Sequence, residues 1–500
     1  MLKLAHIFQA HMMLQYGKKV RIWGNADAGA EVLVSFGGQT AAGTCDDRGN
    51  WEVFLDPLPL LKNQVLTVRS GDETLTISDV MTGEIWVAGG QSNMEFLMKY
   101  DENRYCEYEK APNPELRFYD VPHLAFEGDD NPILHYGVWR SANAQDMDLF
   151  IAVGYYFALH IYETRHVPVG IVGCNWSGTT ALTWTDRECL KNHPVLSKYW
   201  EEYCEAAAQT EDAEYEKQFR YAKKIIRDFD AKYLDTLMHG ASWQWQQEQI
   251  ERENQLPVLP MGKWDTNAPG NLYESMVKKI AGFAARGVIW YQGESDCFRP
   301  NDYAVLFSET IRTWRKAWKD ELPFLYVQIS PFYRWMFSDG FMYPEVRRQQ
   351  ELVMDMAEAA WMTTTTDNGG KWEIHPKCKK VVGDRLALLA RGKVYGEDIL
   401  CDPPKCVEAV FENDEICMYF ENAGQGLYMI EETQDSLYAW YGDEYKSIRH
   451  LRCSDDKVIA KNPWTGHTPI RVTFMQEAYG ECWIYNSAGI PLRPVDISVR

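Results

Sequence analysis

The sequence predicts an α/β protein, a parallel sheet covered by helices, with a small β module before it and another after it. Three observations predict this. The first 75 or so residues alternate apolar and polar with period two, the middle carries short and continuously apolar runs separated by helical stretches, and β character returns after about residue 398. Five hundred residues also exceed what one core usually serves, so more than one module is expected.

The N-terminal module is placed at 1–78. Val32-Leu33-Val34-Ser35-Phe36 and Trp51-Glu52-Val53-Phe54-Leu55 alternate, and Gly37-Gly38 and Asp46-Asp47-Arg48-Gly49-Asn50 supply turns. The central domain is placed at 79–397. Its apolar runs are Ile85-Trp86-Val87-Ala88, Val169-Gly170-Ile171-Val172, Gly287-Val288-Ile289-Trp290, Phe324-Leu325-Tyr326-Val327 and Ala360-Trp361-Met362. Strands alternating with helices imply a parallel sheet, and ligands of such sheets bind beyond the carboxyl ends of the strands.

A helical insertion is expected at about 195–270, where Tyr215, Phe219, Ala222, Ile226, Phe229 and Tyr233 recur at spacings of three and four. It serves as a lid, as an oligomer contact such as a homodimer's, or as surface elaboration, and the sequence leaves these open. Cys401-Asp402-Pro403-Pro404 breaks the pattern, and 398–500 is the C-terminal β module.

Composition excludes several classes. A formal net charge of -21 repels phosphate backbones and anionic lipid alike, so neither nucleic acid nor a membrane is an expected partner. No stretch approaches the roughly 20 apolar residues that span a bilayer. Twelve cysteines without a C-x-x-C pair or zinc spacing read as free, mostly buried thiols of a reducing compartment, with a disulfide framework as the minority reading. No apolar run or small-residue cleavage site follows Met1, and the expected location is the cytoplasm.

Chemistry is sought in the loops after the apolar runs. Gly89-Gly90-Gln91-Ser92-Asn93-Met94-Glu95 follows the first, and a serine at a strand-to-helix turn after two glycines presents its hydroxyl at the sheet's active edge. The same segment also reads as an ordinary turn with a capping serine. Cys174-Asn175-Trp176-Ser177-Gly178-Thr179-Thr180 follows the second run, and a glycine there offers an unobstructed N–H to a developing negative charge.

The third run ends in Trp290-Tyr291-Gln292-Gly293-Glu294-Ser295-Asp296. Gln292 can donate its amide to an oxyanion, while Glu294 and Asp296 form a carboxylate pair that would equally suit a glycoside hydrolase. Trp372-Glu373-Ile374-His375-Pro376 lies beyond the last run, and of eleven histidines only His375 is placed there, where it can act as general base.

These four loops, in this order, resemble the motif blocks of the SGNH hydrolase superfamily, and among its members those of the sialate O-acetylesterase family of carbohydrate esterases. Gly90-Gln91-Ser92-Asn93-Met94 resembles the nucleophile block, Ser177-Gly178-Thr179 a Gly-Gly-Thr block, Trp290 to Asp296 the Trp-x-Gln-Gly-Glu block, and Ile374-His375-Pro376 the histidine block. His11-Met12-Met13-Leu14-Gln15, Val20-Arg21-Ile22-Trp23-Gly24 and Tyr485-Asn486-Ser487-Ala488-Gly489-Ile490-Pro491 resemble the family's flanking β modules. Four ordered blocks are specific where one would not be.

The resemblance implies the three-layer, flavodoxin-like SGNH fold and a serine hydrolase that removes acetyl groups from a mono- or oligosaccharide through an acetyl-serine, without metal or organic cofactor. It implies Ser92 as nucleophile, His375 as base, and an oxyanion hole from the N–H of Ser92, the N–H of Gly178 and the Gln292 amide. Asn93, Trp176 and Glu294 line the substrate side, Glu294 bracing its loop.

Two departures stand out. Ser177 replaces a glycine, and Trp372 occupies the position three before the histidine where the superfamily often has its triad Asp. Glu373, Asp367 or a backbone carbonyl is left to orient His375, and Glu373 is favoured because strand-like spacing of two would point both side chains the same way. The sugar, sialic acid or an acetylated xylan or mannan fragment, is not readable. A carbohydrate-binding protein without catalysis is the alternative from outside enzymology.

Overall fold

Each of the five apolar runs is a strand, and the alternating segments before them form paired antiparallel strands in this computed structural model. It describes residues 1–125, 136–209, 211–238, 261–262, 264–335, 338–430 and 436–500, with positions 245, 248–249 and 252. The architecture is mixed α/β and its largest sheet contains both parallel and antiparallel pairs.

The chain falls into two compact units: residues 1–219, 260–290 and 308–324 make the first, and residues 220–259, 291–307 and 325–500 the second. In the first, Glu31–Phe36 buries Val32, Val34 and Phe36 and pairs with Gln39–Thr44 across the Gly37-Gly38 turn, whose φ values of +57° and +81° suit glycine.

The central strand β1, Glu73–Gly90, is 18 residues long and continues past residue 78 through an irregularity, where its register with Gln64–Ser70 shifts and Asp79 has φ +52°. Its start pairs antiparallel with Gln64–Ser70, Met81 to Gly83 pair parallel with Met13–Gln15, and Glu84 to Gly90 pair parallel with β3, Val169–Asn175. On the other side of β3 lies the parallel strand β2, Asn113–Asp120. Strand β4, Gly287–Tyr291, follows β1 up to Trp290. Helix α1, Ala152–Arg165, lies directly on β3, since a Cβ on Gly154 would come within 3.0 Å of Ile171 Cγ2.

Three strands therefore end together in this unit, at Gly90, Asp120 and Asn175, because their parallel registers align. That edge is where Ser92 and the Trp176 loop begin. Helix α2, Asp212–Met238, buries Tyr215, Phe219 and Ala222, the first two packing on Trp264 at ring distances of 6.2 Å. The side chains of Ile226, Phe229 and Tyr233, expected on the same face, lie outside the described residues.

In the second unit, β5 (Phe324–Val327, from Leu325 onward) leads to Gln328, whose N–H donates to Thr363 at the end of β6, Ala360–Thr363. Helices α3, Tyr343–Met356, and α4, Lys380–Leu389, pack on β6. Two four-stranded antiparallel sheets follow, sharing a core that includes Ile416, Met418, Phe420, Val458, Val472 and Phe474. Buried Arg347 on α3 fastens them by donating from Nη2 to the carbonyls of Met475 and Glu477, at 3.0 and 2.7 Å.

Candidate active site

The residues singled out in the sequence divide between the units: Ser92, Asn93, Trp176 and Gly178 in the first, Gln292, Glu294, Glu373 and His375 in the second. Each group has its own internal order.

Strand β1 reaches the Ser92 turn through two glycines that the geometry demands. A Cβ on Gly89 would lie 2.6 Å from the Trp290 ring, and Gly90 has φ +137°. Gln91 then starts the short helix Ser92–Glu95, on which Ser92 is half-buried and Asn93 fully buried.

The Trp176 loop is laced to this turn. Asn175 Nδ2 donates to the Ala88 carbonyl at 3.1 Å, and Trp176 N donates to the Gly90 carbonyl at 3.1 Å. Trp176 is half-exposed and stacks on His123, centroids 4.3 Å apart and planes 9° apart, while His123 Nε2 donates to the Asn175 carbonyl at 2.8 Å. Gly178 has φ +71°, and a Cβ built on it would meet nothing within 4 Å.

Two carboxyl groups sit beside this loop. Glu95 Oε2 accepts both the N–H and the hydroxyl of Ser177 at 2.6 Å, and Oε1 accepts the Tyr136 hydroxyl at 3.2 Å. Asp120, at the end of β2, is buried, and among the described residues no hydrogen-bond partner meets its Oδ2. Burial, and secondarily the charge of Glu95, push it up to about 8.

In the second unit Gln292 is fully buried. Tyr303 donates its hydroxyl to both the carbonyl and Oε1 of Gln292 at 3.1 Å, Gln350 Nε2 donates to the same carbonyl at 3.1 Å, and Gln292 Nε2 donates to Asp296. The amide is thus fixed in orientation, with one of its two N–H groups committed to Asp296. Glu294 and Asp296 are both buried.

His375 is buried, and burial together with the charge of nearby Lys379 pushes its imidazole down to about 3, so the ring is neutral at neutral pH. Glu373 does not meet it as a strand neighbour would. Residues 371–376 form bends, and Glu373 Oε1 accepts the His375 main-chain N–H at 3.1 Å while lying 3.9 Å from Nδ1, beyond hydrogen-bond range. The strand-spacing argument for this pair is therefore corrected: the carboxylate caps the turn. Asp367 is gripped by Arg385 instead.

Sequence reading missed Glu95, Asp120, His123 and Lys379. Glu95 stood inside the quoted Ser92 segment, whereas Asp120 and His123 were hidden with β2. Among the described residues, no group of three or more His, Cys, Asp or Glu could hold a metal ion, and no helix is long and apolar enough to cross a membrane.

The family model "Carbohydrate esterase, sialic acid-specific acetylesterase" matches residues 259–389, a span containing Gln292, Glu294, Glu373 and His375. Sialate O-acetylesterase of Rattus norvegicus is 25% identical over 438 residues, 80% of this chain and 75% of the relative. That of Homo sapiens is 22% identical over 414 residues, 75% of this chain and 68% of the relative. A solved carbohydrate acetylesterase from Xanthomonas citri shares the fold, with TM-score 0.75, 24% identity and 99% of each chain covered. The resemblance first read from four short blocks agrees with these matches, and the span 259–389 contains two of the blocks, those of Gln292 and His375.

Proposed function

We infer that this chain is a carbohydrate O-acetylesterase, a carboxylic ester hydrolase of the sialate O-acetylesterase kind, working through Ser92. The observation that carries the activity is the match of residues 259–389 to the acetylesterase family, in a chain similar to sialate O-acetylesterases along most of its length. The mechanism is read from the residues.

Ser92 Oγ attacks the acetyl carbonyl and passes its proton to His375, whose neutral ring at physiological pH supports the role of acceptor. The carbonyl electrons move onto oxygen, where the N–H groups of Ser92 and Gly178 and the Gln292 amide donate to them. The intermediate collapses, the sugar oxygen takes the proton from His375, and acetyl-Ser92 remains. Water then attacks, His375 takes its proton and returns it to Ser92 Oγ, and acetate leaves. The tetrahedral oxyanion offsets the imidazolium charge that burial otherwise disfavours.

The strand ends at Gly90, Asp120 and Asn175 support an SGNH-type arrangement, with Ser92 just past the carboxyl end of the central strand. Trp176 offers an indole face suited to a sugar ring, with Asn93 and Glu294 shaping the substrate side. None of the twelve cysteines forms a disulfide, which supports a cytoplasmic location. Acetate release from acetylated sialosides, xylo-oligosaccharides and manno-oligosaccharides tests the reading. Release from at least one that vanishes in Ser92→Ala is expected, and equal turnover by Ser92→Ala refutes it.

A further inference from the structure

We propose that Glu95 is a positioning residue of this reaction: it holds Ser177, through its main-chain N–H and its hydroxyl, and so sets the peptide that follows, whose Gly178 N–H faces the oxyanion forming at Ser92. The proposal rests on the reading of Ser92 and Gly178 above and goes beyond it, because no motif block assigns Glu95 a role.

The geometry builds it in three steps. Gly178, at φ +71°, has no atom within 4 Å of where a Cβ would stand, so no side-chain packing steers it and the direction of its N–H is set by whatever holds the peptides on either side. On the far side, Asn267 Nδ2 donates to the Gly178 carbonyl at 3.0 Å while its Oδ1 accepts the Thr180 N–H at 2.8 Å. On the near side, the Glu95 carboxylate takes both Ser177 donors at 2.6 Å, the short distances of charge-assisted bonds.

Between these two clamps the Gly178 N–H is left over. Among the described residues no group accepts from it, and the residue is exposed. Glu95 lies three residues beyond Ser92 on the same four-residue helix, so one carboxylate ties the oxyanion loop to the nucleophile's own element.

A bare carboxylate beside an oxyanion would oppose catalysis. Glu95 is not bare: Ser177 supplies two donors, Tyr136 a third at 3.2 Å, and His123 Nε2 lies 3.9 Å away. Ser177, which departs from the family's glycine, supplies the second of these bonds, so loop and carboxylate are matched in this chain.

The test compares kcat, KM and Tm for wild type, Glu95→Ala, Glu95→Gln, Ser177→Gly and Ser92→Ala, with p-nitrophenyl acetate as substrate. Glu95→Ala is expected to lose kcat by about 10- to 100-fold with KM within about twofold, the signature of a misdirected oxyanion donor. Ser177→Gly keeps the N–H bond to Glu95 and is expected to stay within about threefold of wild type. If Glu95→Ala fails to fold, the near-isosteric Glu95→Gln decides: a kcat loss of several-fold at wild-type KM supports the role, and wild-type kcat overturns it. Wild-type kcat in Glu95→Ala while Ser92→Ala is inactive overturns the positioning role alone. Turnover by Ser92→Ala overturns the underlying reading and this role with it.

Discussion

Arg385 holds Asp367 by two parallel hydrogen bonds, Nη1 to Oδ1 at 2.7 Å and Nη2 to Oδ2 at 2.6 Å, and its Nη1 also donates to the Thr364 carbonyl at 3.2 Å. Both side chains are nearly buried, at 7% and 10% exposure. A carboxylate so engaged serves the fold. Asp367→Asn leaves the guanidinium without its charge partner and is expected to cost about 3 kcal/mol in stability. Thermal unfolding measures that loss, and the folded fraction is expected to retain kcat within about threefold.

Glu373 lies nearer His375 but grips its main chain. Glu373→Gln is therefore expected to lower kcat on p-nitrophenyl acetate by no more than about tenfold, against the roughly 10⁴-fold of a true triad acid. His375→Ala is expected to lose at least about 10³-fold. Steady-state kinetics of the two variants side by side gives the answer.

The pH profile follows from burial of His375. Its imidazole, pushed down to about 3 by burial first and Lys379 second, stays neutral far below the usual 6.5. The acid limb of kcat/KM is expected below about pH 5, and Lys379→Met is expected to move it upward. The sign for stability agrees: between pH 3 and 6.5 the unfolded chain binds a proton that the folded one refuses, so stability falls as pH drops through that window. Titration of activity and of denaturant midpoint reads both effects.

Asp120 works in the opposite direction. Its carboxyl is raised to about 8 from 3.8, so across that range the folded state keeps a proton that the unfolded chain releases. Stability contributed by the neutral carboxyl is complete below about pH 4 and declines until pH 8. Asp120→Asn is expected to flatten this slope and to gain on the order of 1–3 kcal/mol at pH 8, measured by urea unfolding across pH.

Gln350 on α3 braces the Gln292 loop. Its Nε2 donates to the Gln292 and Val327 carbonyls at 3.1 and 3.2 Å, and its Oε1 accepts the Ile329 N–H at 2.9 Å. Gln350→Leu strands these buried groups and is expected to cost about 2–4 kcal/mol, read by thermal unfolding.

How much was legible depends on what each residue's neighbours contribute. The five apolar runs announced themselves because strands buried on both faces are continuously apolar. Strand β2 did not, since Glu115, Arg117 and Asp120 interrupt Leu116, Phe118 and Tyr119. Arg117 is tolerated in the interior only because Asp79 pairs with its Nη2 at 2.9 Å and the carbonyls of His11 and Asp79 take Nη1 at 2.7 Å, partners distant in sequence. With β2 unseen, Asp120 and His123 could not be placed at the edge where Gly90 and Asn175 end.

Candidate residues in the loops after strands were legible because that position is a rule of the architecture. The manner in which Glu373 meets His375 was not, since residues 371–376 turn instead of extending and a turn carries no periodicity.

Strand β1 changes partners twice along its 18 residues, from Gln64–Ser70 to Met13–Gln15 to β3. Anyone shortening the gene to a minimal enzyme would meet this first. A cut near codon 78 divides this strand and strips the stub leading to Ser92 of its upstream lateral support, so truncations that begin there are poor starting points for expression, and a workable one keeps the leader of that strand and the segments that grip it.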